Sequence, residues 1–196
     1  VQSRPLRFVR PRSAAALAGE EDGAAGFVYP PHWAEPWPSG VELAHAVAAD
    51  DWHGAAVVDL GCGLGLPSVA AAGAGARVLA TDRSPDAVTF AAVNAECTGV
   101  VIETAVCRWA EPRPLLERAP WRLVLAADVL YGQECVDELL ELLPRLVDDN
   151  GEVLLADPQR PLAAEFLAAA QTAWRSVDTA PTRRPEIRLH RLAGPR

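Results

Sequence analysis

Lysine and methionine are both absent from this sequence. All 18 positive side chains are therefore arginines, set against 26 acids for a formal net charge of -8. A balance of that sign argues against a general attraction to nucleic acid or to a membrane surface. With no lysine, the chain has no lysine amine of its own to modify. Cysteine is sparse, at Cys62, Cys97, Cys107 and Cys135. None lies in a C-x-x-C pair or a Cys/His cluster, so no metal site is expected. Reduced thiols in a cytoplasmic protein are the simplest account of them. No apolar run approaches transmembrane length, and no stretch has the order of a secretory signal. Arg4, Arg7, Arg10 and Arg12 occur with no acid among them, but Pro5 and Pro11 spoil the amphipathic helix of a transit peptide. A solvated basic tail or an edge strand near residues 6–9 fits better.

Half the residues are hydrophobic, enough for a sizeable core in 196 residues. That length suits one domain, expected over residues 27–196, behind an N-terminal extension over 1–26. The chain is organised around Val57-Val58-Asp59-Leu60-Gly61-Cys62-Gly63-Leu64-Gly65. An apolar run meets an acid, then three alternating glycines, then Leu66-Pro67-Ser68 opens an Ala-rich segment. This reads as strand, tight turn and helix: glycine lets the backbone turn sharply and a ligand approach closely, and Pro67 suits a helix's first turn. The next apolar run ends in Asp82, about 20 residues beyond the turn, the spacing of an acid that grips a ribose. The glycines are not the dinucleotide pattern G-x-G-x-x-G, because Leu66 stands where the last one would be. Asp59 at the strand end would repel a pyrophosphate and attract an ammonium group.

Upstream, residues 27–40 combine Phe27, Tyr29, Trp33 and Trp37 with several prolines, a rigid arm that is either a lid on the ligand or a hydrophobic anchor. Ser39 is expected to cap a helix through Val41, Leu43, Ala44, Val47 and Ala48. Strands are expected at 55–60, 77–81, 100–106, 122–127 and 152–156, the last entered by a turn at Asn150-Gly151. Helices are expected at 66–73, from Ser84 as cap to near Gly99, at 134–147 and at 161–174, with a short crossover at 112–119. Residues 176–179 and 186–192 read as an antiparallel pair. The order predicts an α/β fold: a doubly wound, Rossmann-like, seven-stranded and mostly parallel sheet with a C-terminal antiparallel strand pair. Sites in such sheets lie at the carboxyl ends of the strands, where Asp59, Asp82, Trp109 and Asp128 would gather. Trp109 is either an adenine-stacking side chain or a packing one. Asp128 and Tyr131 either face a cleft together or serve as a helix cap and a packing ring.

The D-L-G-C-G-x-G form of residues 59–65 resembles the first motif of class I S-adenosyl-L-methionine (SAM) dependent methyltransferases. Asp128-x-x-Tyr131 resembles the D-x-x-Y motif of the family 16, mostly protein lysine, methyltransferases. Two further stretches are similar to the electron-transfer flavoprotein β-subunit lysine methyltransferases. Residues 33–40 match W-A-x-x-W-P-G-G except for Ser39, and residues 157–161 match D-P-G-R-P except for Gln159. Arg83 is a further departure, following Asp82 where the family carries a smaller or apolar residue. The resemblance covers roughly residues 27–161. It implies SAM as cofactor, S-adenosyl-L-homocysteine (SAH) as product, and a cofactor set of Trp37, Asp59, Gly61, Cys62, Gly63, Gly65, Asp82, Arg83, Trp109 and Asp128. It further implies acceptor-side roles for Asp128 and Tyr131.

The implied reaction is N-methylation of a protein lysine by in-line transfer. The sulfonium methyl is already activated, so alignment matters more than acid–base machinery. A lysine must attack as the neutral amine, which at pH 7 costs roughly 4–5 kcal/mol from its reference pKa. The alternatives are a small-molecule acceptor in a closed apolar site, a non-catalytic SAM-binding partner subunit, and a NAD-dependent oxidoreductase disfavoured by the missing glycine and by Asp59.

Overall fold

A computed structural model of the chain describes residues 8–12 and 32–196. The expected domain boundary at 26/27, the start of the aromatic arm and most of the suggested N-terminal strand lie outside the described residues. Of that strand, Phe8 and Val9 are described and are not in a sheet.

After a 3-10 turn at His32–Ala34 comes α1 (Pro38–Ala48), then β1 (Ala56–Leu60), α2 (Leu66–Gly73), β2 (Arg77–Asp82) and α3 (Pro85–Thr98). The chain continues through β3 (Glu103–Val106), α4 (Arg113–Leu116), β4 (Trp121–Ala127), α5 (Gln133–Leu146) and β5 (Val147–Asp157). It ends with α6 (Pro161–Ala173), β6 (Trp174–Pro181) and β7 (Arg188–Pro195). The sheet has seven strands in the order β3-β2-β1-β4-β5-β7-β6. β1 to β5 are parallel, and β7 runs antiparallel to both β5 and β6. Strand order reverses between β1 and β4, so the switch point lies outside their carboxyl ends.

The central strands are apolar on both faces because helices cover both. Val58, Leu60, Val124, Ala126, Val153 and Leu155 pack with Leu139 and Leu143 of α5 and Phe166 of α6. Their neighbours Val57, Leu123, Leu125 and Leu154 pack on the other face with Leu43 and Val47 of α1. Helix ends follow local chemistry. Ser84 precedes Pro85, and its Oγ accepts from Ala87 N–H at 3.4 Å. Gly99 closes α3 in the left-handed conformation, with φ of 77°.

Three expectations are corrected and one alternative, the cap at Asp128, is removed. Ser39 does not cap α1: Trp37 holds the cap position, Pro38 begins the helix, and Ser39 is buried inside it. Proline's fixed φ and missing N–H suit that first position better than any interior one. Asn150-Gly151 is not a turn before β5 but lies within it, at an irregularity between the Trp121–Val147 and Leu123–Glu152 pairs. A Cβ on Gly151 would sit 2.6 Å from the Trp121 carbonyl, so this glycine permits close backbone approach. β3 is shorter than its β-branched run, since Val100, Val101 and Ile102 precede the paired residues. Asp128 is not a cap for α5, whose cap position is Gly132. Among the described residues, no helix is long and apolar enough to cross a membrane, and no cluster of His, Cys, Asp or Glu could hold a metal ion.

Candidate active site

The turn after β1 is built on three left-handed glycines: Gly61, Gly63 and Gly65 have φ of 69°, 51° and 80°. Gly61 and Gly63 also leave room for neighbours. A Cβ on Gly61 would be 3.5 Å from the ring of Trp109, and one on Gly63 would be 3.2 Å from the carbonyl of Trp33. Gly65 answers to packing instead, since its Cβ would lie 2.9 Å from the Cβ of Ala91 on α3. Cys62 turns its thiol inward among Ala80, Val88 and Ala91, where burial pushes its pKa up. Only its backbone belongs to the turn's surface, and its N–H donates to Thr81 O at 2.9 Å.

Asp82 fastens this turn to the next one. Its Oδ2 accepts from Gly63 N–H at 3.0 Å and its Oδ1 from Ser84 N–H at 3.0 Å. A carboxylate has about four lone-pair sites, so two backbone hydrogen bonds do not by themselves exhaust it. Arg83 beside it is exposed.

Asp59 lies one layer deeper and is only 1% exposed. Its Oδ2 accepts from Ser68 Oγ at 2.6 Å, so the carboxylate braces the start of α2 from below. Burial pushes its pKa up to about 7; the Ser68 hydrogen bonds oppose this and the charge of Asp82 adds to it.

At the end of β4, Asp128 is in the left-handed region with φ of 61°, and its N–H donates to Ala156 O at 2.9 Å. Its carboxylate is paired with Arg160 at 2.6 Å. Tyr131 is 54% exposed. Partial burial and the neighbouring Cys135 push its hydroxyl up, Arg83 opposes the shift, and Asp82 adds to it. Tyr131 is thus within electrostatic range of Arg83 and Asp82. Trp109 is half-buried over Gly61. Trp37 is 40% exposed and donates its ring N–H to His32 O at 2.7 Å.

Gly61, Gly63, Asp82 and Trp109 are thus brought to one edge, with Tyr131 in electrostatic range of Asp82. Trp37 reaches the turn only through its own segment, and it is Trp33 whose carbonyl covers Gly63. The sequence did not single out Asn94, whose Nδ2 donates to Leu64 O at 2.9 Å and to Val9 O at 3.0 Å, tying residues 8–12 to the glycine turn. Nor did it single out Ser68 or Arg160. Arg160 does lie in the quoted 157–161 stretch, which was its only visible signal. A separate cleft of about 490 Å³ between α4 and α5 shares only Trp109 with this edge.

A family model described as lysine methyltransferase matches residues 35–172. The electron transfer flavoprotein beta subunit lysine methyltransferase of Xenopus laevis is 34% identical over 134 residues, covering 66% of this chain and 53% of that protein. The protein N-lysine methyltransferase METTL21A of Danio rerio is 32% identical over 111 residues, covering 54% of this chain and 50% of that protein. The chain therefore spans about half the length of the curated relatives it matches. Among solved structures, the SAM-bound magnesium protoporphyrin IX methyltransferase (ChlM) of Synechocystis PCC 6803 aligns with a TM-score of 0.62 at 22% identity, over 80% of this chain and 78% of that one. That likeness establishes the fold. The family match begins just before α1 and runs through the glycine turn and the first five strands nearly to the end of α6, so this chain belongs to the lysine methyltransferase family.

Proposed function

We propose that the protein is a SAM-dependent methyltransferase that methylates the side-chain amine of a protein lysine. The observation that carries this reading is the Asp82 carboxylate, which spans Gly63 N–H and Ser84 N–H at the switch point of the sheet. An acid fixed in that way can accept from a ribose, and the positive-φ glycines beside it admit a ligand without a Cβ in its path. The donor set fits SAM, which has a nucleoside and a cationic amino-acid end but no phosphate.

The cofactor supplies an activated methyl on sulfonium. The chain's own residues do the rest. Gly61, Gly63 and Asp82 hold the nucleoside end, Trp109 covers the adenine side, and Arg83 flanks the ribose. Asp59, fixed to Ser68, keeps the turn and the start of α2 in register. Asp128 and Tyr131 position the acceptor from the end of β4, and Trp37 contributes an exposed aromatic wall. The exposure of Tyr131 and Trp37 favours a protein segment over a small enclosed acceptor. The free cysteines fit a reducing, cytoplasmic setting.

The test is methyl-labelled SAM with the purified protein and an extract of its source cell, split into macromolecular and small-molecule fractions. Label in a protease-sensitive band, mapped to lysine, is the expected result. It cannot be lysine self-methylation, because the chain has none. Label confined to small molecules overturns the protein acceptor, and failure of the protein to bind SAM or SAH overturns the whole reading.

A further inference from the structure

Arg160 stands at the hinge between β5 and α6, just ahead of Pro161. Its Nε donates to Asp128 Oδ1 at 2.7 Å and its Nη2 approaches the same oxygen to 2.6 Å. The Asp128 side chain is 8% exposed and that of Arg160 is 34% exposed. The arginine is not a loose surface side chain, because its main chain is fixed on both sides. Its N–H donates to Asp157 Oδ1 at 2.7 Å. The preceding Gln159, at φ of 60°, donates its amide to Glu186 O at 3.2 Å. A residue 32 positions away in sequence is thus built onto the Asp128 carboxylate.

The charge state of that carboxylate matters for the chemistry. A bare anion beside a lysine ammonium holds the proton on, while methyl transfer needs the neutral amine. A carboxylate paired with arginine is neutral as a unit, yet its second oxygen still accepts a hydrogen bond. Asp157 is a further charged group that feels both members of the pair, and Arg188 lies opposite Asp157 in the β5–β7 register. Burial pushes the Asp157 carboxyl up, away from its charged form.

We propose that Arg160 is a positioning residue for the acceptor: it fixes Asp128 and cancels its charge, so that an arriving lysine amine meets a hydrogen-bond acceptor and not an unpaired anion. This rests on the reading of Asp128 as an acceptor-side group.

The test uses SAH-saturated full-length protein and N-acetyl-lysine methylamide as an ammonium probe at pH 7, read by calorimetry or NMR titration. Arg160→Gln is expected to bind the probe about 5-fold more tightly, the scale of one partly exposed charge pair. Arg160→Lys should match the wild type, and the double variant Asp128→Asn with Arg160→Gln should return to the wild-type value. With the lysine acceptor found by labelling, the acid limb of the kcat/KM profile should move up on the order of one pH unit in Arg160→Gln and stay put in Arg160→Lys. Probe binding by Arg160→Gln no tighter than that of the wild type overturns the proposal. So does loss of SAH binding in Arg160→Gln and Arg160→Lys alike, which would make the pair a support of the fold. Failure of the methyltransferase reading itself would look different, because the wild-type protein would then bind no SAH.

Discussion

Gly65→Ala isolates what the third glycine does. Two separate costs are present at this position. Its φ is 80°, so any side chain is strained there. The added Cβ would also lie 2.9 Å from Ala91 Cβ and 3.1 Å from Ala91 Cα, where backbone must yield as well as a methyl group. The left-handed conformation costs about 1–2 kcal/mol for a residue with a Cβ. Overpacking a tight contact costs about 1–3 kcal/mol more. The sum, about 2–5 kcal/mol, lowers Tm by roughly 5–15 °C in a domain of this size. Gly99→Ala is the control: its φ is 77°, and its Cβ would meet open space. It should show only the conformational part, about 1–2 kcal/mol. The assay is urea unfolding without cofactor, with both variants keeping the wild-type m-value. Ala91→Gly combined with Gly65→Ala should recover about 1 kcal/mol relative to the sum of the single changes, because it removes the facing methyl. Equal destabilisation by Gly65→Ala and Gly99→Ala, or strict additivity with Ala91→Gly, would refute the packing argument and leave Gly65 as a conformational glycine only.

Asp59 makes stability depend on pH. Its folded pKa of about 7 exceeds the ordinary 3.8, so between those values the folded chain holds a proton that the unfolded chain has lost. Unfolding free energy therefore falls as pH rises through that window, by about 4 kcal/mol in all, and is flat above it. Asp59→Asn should abolish this contribution, so that its stability difference from the wild type changes by about 3 kcal/mol between pH 5 and pH 8; parallel stability curves would refute it. Asp82→Ala should weaken SAH binding by about 1.5–3 kcal/mol, measured by calorimetry, and an unchanged affinity would remove Asp82 from the site. Tyr131→Phe should lower the rate of label transfer while sparing SAH affinity, and the opposite pattern would refute its acceptor-side role.

The sequence alone determined most of the elements and the glycine turn, because both depend on neighbours along the chain. Alternating glycines, a cap at Ser84 followed by Pro85, a helix end near Gly99 and most of the apolar runs act within a few residues, and the structure places these elements where the sequence does. Asp82 was legible for the same reason: its spacing from the turn is a property of one βαβ unit. Where two local signals competed, the reading failed. Pro38 outranked Ser39 as the start of α1, and Asn150-Gly151 lies inside β5, at the irregularity in its pairing with β4 where Gly151 admits the Trp121 carbonyl.

Tertiary structure alone decided which groups meet across the sheet. The Asp128–Arg160 pair forms because parallel pairing sets Ala127 beside Ala156, which brings the residues after β4 and after β5 to one edge. The tie from Val9 through Asn94 to Leu64 links segments 85 residues apart in one direction and 30 in the other. Asp59 reads from sequence as an acid at a strand end. Only packing shows it covered by α2 and committed to Ser68, with burial setting its charge. Periodicity and capping act along the chain, whereas burial and ion pairing depend on which strands lie side by side.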